Sequence, residues 1–194
     1  MKHKTIVYAG AFSGLSLVLS LLIHFPLVPQ APFLLYDPGD VPILSVTFKY
    51  GPALGIFVTT VVSILFGVIT GQGGPWGILM HILATGSYIL IAGMVYRARR
   101  SYRGAILSLI LATLLMTAIM VAANLVVTPL YLGVPRSTVV SMLLPAIIPF
   151  NLLKGAINGM ITLLLYKKII GFLEGTRHLG TVFLKQESEK NSDV

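Results

Sequence analysis

Five long apolar runs dominate the chain and predict membrane-spanning helices, because each reaches the roughly 20 residues that a helix needs to cross a bilayer. They cover residues 5–25, 52–70, 76–96, 104–128 and 142–166. A further apolar run, residues 41–50, would form only about 15 Å of helix, which is short for a span. The hydrophobic pattern therefore predicts an all-α integral membrane protein.

The basic residues indicate whether the short run at residues 41–50 crosses the membrane. If it does, every basic residue near a span end except Arg136 falls on one side: Lys2, Lys4, Lys49, Arg97, Arg99, Arg100, Arg103, Lys167 and Lys168. Cytoplasmic loops carry an excess of Lys and Arg. We therefore predict a bundle of six transmembrane helices with a short second helix and with the N- and C-termini cytoplasmic. The loops at residues 26–42, 71–75 and 129–141 then lie together outside.

Composition agrees with this class and excludes others. Of the 194 residues, 56% are hydrophobic and only 10% are charged, which is unlike a soluble domain. The net charge of +8 does not indicate nucleic-acid binding, because the basic residues flank the apolar runs. There is no cysteine for disulfides or thiolate chemistry. We expect one transmembrane domain over residues 1–170 and a cytoplasmic polar tail over residues 171–194, disordered at its end.

A lysine in the middle of the last run is the clearest sign of a polar site. Lys154 lies 12 residues from either end of the run 142–166, about 18 Å along a helix, too far to reach the interface. A central lysine costs roughly 2.5 to 3.5 kcal/mol on insertion scales, so it normally faces a polar cavity or a partner. Asn151 and Asn158 share its face, whereas Gly155 and Gly159 mark an adjacent face that another helix can approach closely.

The proline-rich loop at residues 26–42 carries Asp37 and Asp40, the only acidic residues before Glu174. Both lie beside aromatic residues of the same loop that could cover a ligand. Asp40 could also cap the following helix, and the two roles do not exclude each other. Asn124, near the outer end of the fifth span, places a second polar group in the same outward half of the bundle.

The first span contains small residues four positions apart, Ala9 with Ser13 and Gly10 with Gly14. Such spacing lets a second helix approach closely, within the bundle or in a partner. No catalytic or metal-ligating set is predicted, since His24 has no second ligand nearby at metal spacing and His81 is expected to be a structural histidine of the bundle.

Several motifs, in this order and spacing, resemble the substrate-binding S components of energy-coupling factor (ECF) vitamin transporters, specifically the riboflavin member. They are YDPGDVP at residues 36–42, GP at 51–52, GPWGILMH at 74–81, Asn124 with TPLYLGVP at 128–135, and IPFNLLKG at 148–155. The resemblance covers residues 5–170.

This resemblance implies a multi-pass cell-membrane protein that captures riboflavin outside and delivers it across the bilayer. The energy would come from a transmembrane coupling subunit with two cytoplasmic ATPases, and riboflavin would be cargo, with no resident cofactor. By similarity, Asn124, Asn151 and Lys154 contact the ligand directly, while Tyr36 and Asp40 cover it. Ala9 and Ser13, with Gly10 and Gly14 beside them, match the docking motif for the coupling subunit, although serine replaces the commoner alanine.

Other classes remain as alternatives. An intramembrane enzyme is not favoured, because there is no Gly-x-Ser-x-Gly elbow and there are no paired carboxylates suited to catalysis. An assembly subunit would bind no specific small molecule. An S component for FMN or for another vitamin is the main alternative within the transporter class, although a phosphate should prefer more cations at the outer mouth than Arg136 alone.

Overall fold

The chain forms a bundle of α-helices, shown by a computed structural model that describes residues 3–166, with side chains from Thr5 onward. The helices are α1 His3–Leu22, α2 Asp40–Tyr50, α3 Pro52–Thr70, α4 Gly74–Ala98, α5 Tyr102–Leu132 and α6 Arg136–Tyr166. Lys167, Lys168 and the predicted tail at residues 171–194 lie outside the described residues.

Within residues 3–166, five helices are long and apolar enough to span a membrane, namely α1 and α3 to α6. The expected all-α membrane architecture is thus confirmed. Helix α2 has only 11 residues, as its short apolar run predicted, yet nine of them are buried. It therefore lies inside the bundle and is enclosed by its longer neighbours.

The connection between α1 and α2 is proline-rich, and prolines favour irregular structure, yet part of it is regular. Two-residue strands β1, Phe25–Pro26, and β2, Leu35–Tyr36, pair antiparallel and close the connection into a compact loop. This small ribbon is a minor departure from the all-α prediction. It matters because β2 leads directly into Asp37 and the start of α2.

The loop predicted at residues 129–141 is mostly helical, and that boundary was wrong. Helix α5 continues past Pro129 to Leu132 and ends at Gly133, whose φ of +65° suits glycine. Helix α6 begins at Arg136, six residues before the predicted start of the last run at residue 142. Its first turn contains Arg, Ser and Thr. A hydrophobicity criterion assigns these polar residues to a loop, but they can be helical where the helix extends beyond the hydrocarbon.

Helix α6 contains a π-helical turn, Leu143–Ile147, between two α-helical parts. Pro145 and Pro149 lie in and just after this turn, and each lacks the N–H that an α-helix would use. The freed carbonyls account for the local change in winding. The carbonyl of Ile147, the last residue of the turn, accepts a hydrogen bond of 2.8 Å from the side chain of Asn151.

The close approach predicted for the Gly155 face of α6 is confirmed. A Cβ atom at Gly155 would lie 2.8 Å from Oγ1 of Thr113, so α5 packs directly on the α6 backbone there. The hydroxyl of Tyr88 on α4 also donates to the Gly155 carbonyl at 2.8 Å. This packing fixes the rotation of α6, so that the adjacent face with Asn151 and Lys154 lines the cavity.

Candidate functional site

A cavity of about 510 Å³ lies at one end of the bundle, between the α1–α2 loop and helices α3 to α6. Its volume is within the range of small-molecule sites. Its polar lining residues are Asp37, Ser63, Gln72, His81, Asn124, Thr128, Asn151 and Lys154, and its aromatic lining includes His24, Phe33, Phe66, Trp76, Tyr131 and Phe150. The cavity is mainly apolar with a few polar groups, which is the usual chemistry of a site for an organic ligand.

Lys154 and Asp37 form a buried ion pair at the base of this cavity. The Nζ atom of Lys154 donates to Oδ2 of Asp37 at 2.7 Å and lies 3.9 Å from Oδ2 of Asp40. Lys154 is only 4% exposed, so its side chain stays inside the bundle, as its distance from both ends of the run indicated. Since isolated charges are costly in an apolar bundle, the two residues depend on each other for their burial.

Asp37 is held by several further donors. Its Oδ1 accepts hydrogen bonds from Oγ of Ser20 on α1 at 2.8 Å and from the backbone N–H of Gly39 at 3.0 Å. Burial alone would raise its pKa, but the Lys154 ammonium and His81 outweigh that effect and hold the pKa of the carboxyl well below its usual range. Asp37 is therefore ionised at physiological pH and ties the loop to α1 and α6.

Asp40 does not cap α2. The helix begins at Asp40 itself, and Gly39 at the capping position makes no side-chain hydrogen bond. The Asp40 carboxylate instead accepts from Oγ1 of Thr85 on α4 at 2.8 Å and from Nδ2 of Asn158 on α6 at 2.9 Å. It lies behind Asp37 and does not line the cavity. Its role in this structure is to join α2, α4 and α6.

Tyr36 also lies outside the cavity lining. It is buried, and its hydroxyl donates to Oδ1 of Asn158 at 3.0 Å. Burial and the carboxylates of Asp37 and Asp40 raise the pKa of the Tyr36 hydroxyl, so it remains a neutral donor. Asn158 in turn donates to the Asp37 carbonyl at 3.0 Å. The loop is thus attached to α6 through backbone and side-chain contacts.

Asn124 and Asn151 reach the cavity from α5 and α6. The Nδ2 atom of each donates at 2.8 Å to a carbonyl one turn earlier in its own helix, Met120 and Ile147 respectively. Oδ1 of Asn124 accepts from Thr128 at 2.8 Å, whereas among the described residues Oδ1 of Asn151 accepts no hydrogen bond. Each amide keeps one N–H, and Asn151 also keeps an acceptor, for a ligand in the cavity.

His81, predicted to be a structural histidine of the bundle, lines the cavity and lies beside Asp37. Its Nδ1 atom lies 2.8 Å from Oγ of Ser63, and its Nε2 atom lies 3.7 Å from Oδ2 of Asp37. A carboxylate oxygen of Asp37, a carboxylate oxygen of Asp40 and a ring nitrogen of His81 lie within 4.8 Å of one another. Such a group could in principle hold a metal ion. The ammonium of Lys154 already lies among these carboxylates, so this cluster is an ion-pair network with the lysine as its cation.

Asp37 was not among the site residues predicted from the sequence, and it is the main residue missing from that prediction. A signal was present in the chain: a buried lysine needs a carboxylate, and only Asp37 and Asp40 precede Glu174. The aromatic lining from Phe66, Trp76 and Phe150 was missed because apolar residues of a lining and of a core have the same pattern.

The small residues of α1 lie on two different faces. Ala9 is 6% exposed and belongs to the core, and Ser13 is half-buried with its hydroxyl bonded to the Ala9 carbonyl at 2.7 Å. Gly10 and Gly14 are exposed, and a Cβ atom on either would meet nothing within 4 Å. The open small-residue surface of α1 is therefore the glycine pair.

A helical membrane bundle with a ligand-sized, amide-lined cavity at one end defines a membrane protein that binds a small organic molecule. Comparison with known families agrees: the model for the ECF transporter substrate-specific component matches residues 4–166. The chain belongs to this family, as its motifs indicated. Members are transporter components, so the expectation that the chain is not an enzyme is confirmed.

Individual relatives and a solved structure support the same assignment. The chain is 33% identical over 179 residues to the riboflavin transporter RibU of Staphylococcus aureus (strain TCH60), covering 89% of this chain and 94% of that protein. It is 30% identical over 186 residues to the riboflavin transporter FmnP of Bacillus subtilis (strain 168), covering 91% and 97%. A solved S component of a bacterial ECF transporter matches with a TM-score of 0.76 and 32% identity, covering 89% of this chain and 99% of that one.

Proposed function

We propose that this chain captures riboflavin at the outer face of the cell membrane and delivers it across the bilayer as the S component of an ECF transporter. The observation that carries the proposal is the convergence of Asn124, Asn151 and Lys154 on one mainly apolar cavity. The curated relatives named above, which match along nearly their whole length, are riboflavin transporters. This chain has the same family architecture and a cavity suited to such a ligand.

The chemistry of a flavin suits the lining. Its flat ring system would lie among the aromatic and aliphatic side chains, for example Phe66 and Trp76, and the amide-like ring edge needs paired donors and acceptors. Asn151 offers both from one side chain, and Asn124 offers a donor. Lys154 has further donor capacity beyond its bond to Asp37 and would reach a ring carbonyl or the ribityl hydroxyls.

Tyr36 and Asp40 act on the ligand indirectly in this proposal. Both lie behind the cavity wall, bonded to Asn158 of α6. They hold the α1–α2 loop against the bundle, and the loop in turn presents Phe33, Leu34 and Asp37 to the ligand. The sequence-based hypothesis gave them direct cover of the ligand, and we now place them one layer further out.

The charge of the site favours an uncharged ligand over its phosphate ester. The ammonium of Lys154 already faces two carboxylates, Asp37 and Asp40, so it has little capacity left to balance a phosphate dianion. Arg136 is exposed at the same end of the bundle but does not line the cavity. Riboflavin should therefore bind more tightly than FMN.

We also propose six spans with both termini cytoplasmic, α2 being the short second span. The buried environment of α2 supports its crossing, because longer neighbours can compensate for a helix of 11 residues. This topology puts the cavity outside and the arginines of the α4–α5 turn in the cytoplasm. Transport then requires a transmembrane coupling subunit and two ATPases, with flavin as cargo and no resident cofactor.

The first test is a fluorescence-quenching titration of the detergent-purified protein with riboflavin and with FMN. We expect saturable binding of riboflavin, weaker binding of FMN, and a loss of riboflavin affinity of about 10-fold or more in Asn151→Leu, which removes a buried hydrogen-bonding group. Thr162→Val is a matched control on the same helix, since Thr162 is buried, makes an equivalent bond to the Asn158 carbonyl and lies outside the cavity lining. Absence of quenching in the unmodified protein would refute the assignment of riboflavin.

A further inference from the structure

The end of the bundle opposite the cavity carries an exposed basic cluster, which we define as Lys49, Arg97, Arg99, Arg100 and Arg103. The four arginines are exposed, and Lys49 is half-buried in the last turn of α2. The guanidinium of Arg97 extends over the α2–α3 junction, where its Nη1 atom would lie 3.8 Å from a Cβ atom at Gly51. The cluster therefore continues from the α4–α5 turn to the end of α2.

No carboxylate in the described part of the chain can neutralise this cluster. Between residues 3 and 166 the only acidic residues are Asp37 and Asp40, and both are bound to Lys154, Thr85 or Asn158 at the cavity end. A single-sign group of five cations on a small surface therefore attracts anions from beyond the described residues, and the anionic lipids of the bilayer are at the right depth to supply them.

Helix length places the cluster at the depth of lipid headgroups. Helix α4 has 25 residues, about 37 Å, and ends at Ala98, whereas the hydrocarbon layer is about 30 Å thick. A helix of this length centred in the bilayer extends about 3.5 Å beyond the hydrocarbon at each end, which puts the turn at residues 99–101 in the headgroup layer. Tyr102, which is 47% exposed, adds an amphipathic ring of the kind found at that depth.

An apolar surface for acyl chains begins directly below the arginines. Leu107, Ile110 and Leu114 follow Arg103 at helical spacing on α5 and are 39%, 53% and 54% exposed. Arg103 is thus the head of a continuous lipid-facing stripe. A phosphate bound by guanidinium groups at the top of this stripe would have its acyl chains on the apolar residues below.

We propose that the basic cluster and this stripe form a binding site for an anionic phospholipid, whose phosphate is bound by the arginines of the α4–α5 turn. A basic cluster can also serve only as a topology signal, which needs charge near the membrane but no defined lipid. The two roles can be told apart after the protein is extracted from the bilayer. A binding site keeps one class of lipid bound, whereas a topology signal does not. This inference stands independently of the identity of the transported ligand.

The test uses the full chain in nanodiscs with equal parts of phosphatidylglycerol and phosphatidylcholine, followed by native mass spectrometry of the lipids that stay bound on release into detergent. We expect enrichment of phosphatidylglycerol on the unmodified protein. The enrichment should fall about fivefold for each arginine removed, so the triple variant Arg99→Gln, Arg100→Gln, Arg103→Gln, which keeps only Lys49 and Arg97 of the cluster, should lose most of it. Arg136→Gln is the matched control, since Arg136 is an exposed arginine at the opposite end.

A second variant separates charge from folding or orientation. The corresponding triple lysine variant keeps the positive charge, and it should retain part of the enrichment because ammonium groups lack the bidentate geometry of arginine. Equal lipid retention by the unmodified protein would overturn the proposal, as would full enrichment on the triple glutamine variant. If the unmodified protein shows no enrichment but the glutamine variant loses a co-purifying coupling subunit, the cluster is a protein interface instead.

Discussion

At the scale of single residues, the molecule depends on one buried lysine and the carboxylate it bonds. Lys154 and Asp37 are 4% exposed each, and their 2.7 Å bond joins α6 to the α1–α2 loop. Replacing both charges together can leave the protein nearly as stable, whereas removing one charge leaves the other buried without a partner. The pair therefore does two things, since it holds the loop and presents a donor to the cavity.

These two contributions can be separated by a pair of variants. Lys154→Met should lower the free energy of unfolding by about 3 to 5 kcal/mol, because Asp37 would remain buried without its cation. The double variant Lys154→Met, Asp37→Asn should recover much of that stability while riboflavin binding stays weak, because the cavity still lacks the ammonium. Thermal unfolding and riboflavin quenching measure the two effects. Equal melting temperatures for the single variant and the unmodified protein would contradict the role given to the pair.

The residues of the site were predictable only in part. Lys154, Asn151 and Asn124 could be identified because a polar group in an apolar run is conspicuous, and all three line the cavity. The partner of Lys154 could not be chosen, because Asp37 and Asp40 are three residues apart in a loop whose shape depends on contacts with α1 and α6. Hydrophobic pattern carries no information about such contacts between distant segments.

At the scale of elements, α1 has two faces with different surroundings. Ser16 and Ser20 point inward and bind the loop, through the Gly39 carbonyl at 2.7 Å and the Asp37 carboxylate at 2.8 Å. Gly10 and Gly14 point outward and are open. We propose that the glycine face docks the coupling subunit, while Ala9 belongs to the core and Ser13 borders both faces.

Bulk on the glycine face should block assembly and leave ligand binding unchanged. The double variant Gly10→Leu, Gly14→Leu adds side chains at positions where a Cβ atom has no described atom within 4 Å. The riboflavin affinity of the isolated protein should therefore stay within about twofold of that of the unmodified protein. Co-purification with the coupling subunit should be lost, since small residues permit close helix contact. Ala122→Leu adds comparable bulk to an exposed position of α5 and is the control. Normal assembly of the double variant would exclude this face.

Element boundaries were predicted well where hydrophobicity changes sharply and poorly where helices extend beyond the hydrocarbon. Helix α3 runs from Pro52 to Thr70 as its apolar run predicted. Helices α5 and α6 instead extend into the segment predicted as a loop, up to Gly133 and from Arg136. Polar residues at a helix end remain helical when their backbone bonds are satisfied, so hydropathy marks the membrane and not the end of the helix.

At the scale of the whole molecule, the cavity and the basic cluster occupy opposite ends of the bundle. The first part of α4 lines the cavity, and its last turn contains Arg97. Helix α5 runs in the reverse direction, from Arg103 to the cavity. Helices α4 and α5 thus each connect the cavity end of the bundle to the basic end. The number of crossings then decides which end faces the cytoplasm, and that number depends on α2.

Cysteine labelling can count the crossings, because the natural chain has no cysteine to label. Gln30→Cys and Ala53→Cys place exposed thiols before and after α2. If α2 crosses, a membrane-impermeant maleimide should label position 30 in intact cells and position 53 only after permeabilisation. Riboflavin quenching confirms that each variant is folded. Labelling of both positions from the same side would mean that α2 does not cross.

The concentration of positive charge at one end also has an electrical consequence. In the proposed topology the arginines of the α4–α5 turn lie at the inner face of a membrane whose potential is negative inside. Moving one elementary charge across 100 mV requires about 2.3 kcal/mol. The four exposed arginines in and beside this turn would therefore resist outward displacement of that end of the bundle, whereas the uncharged cargo at the other end is not affected by the field.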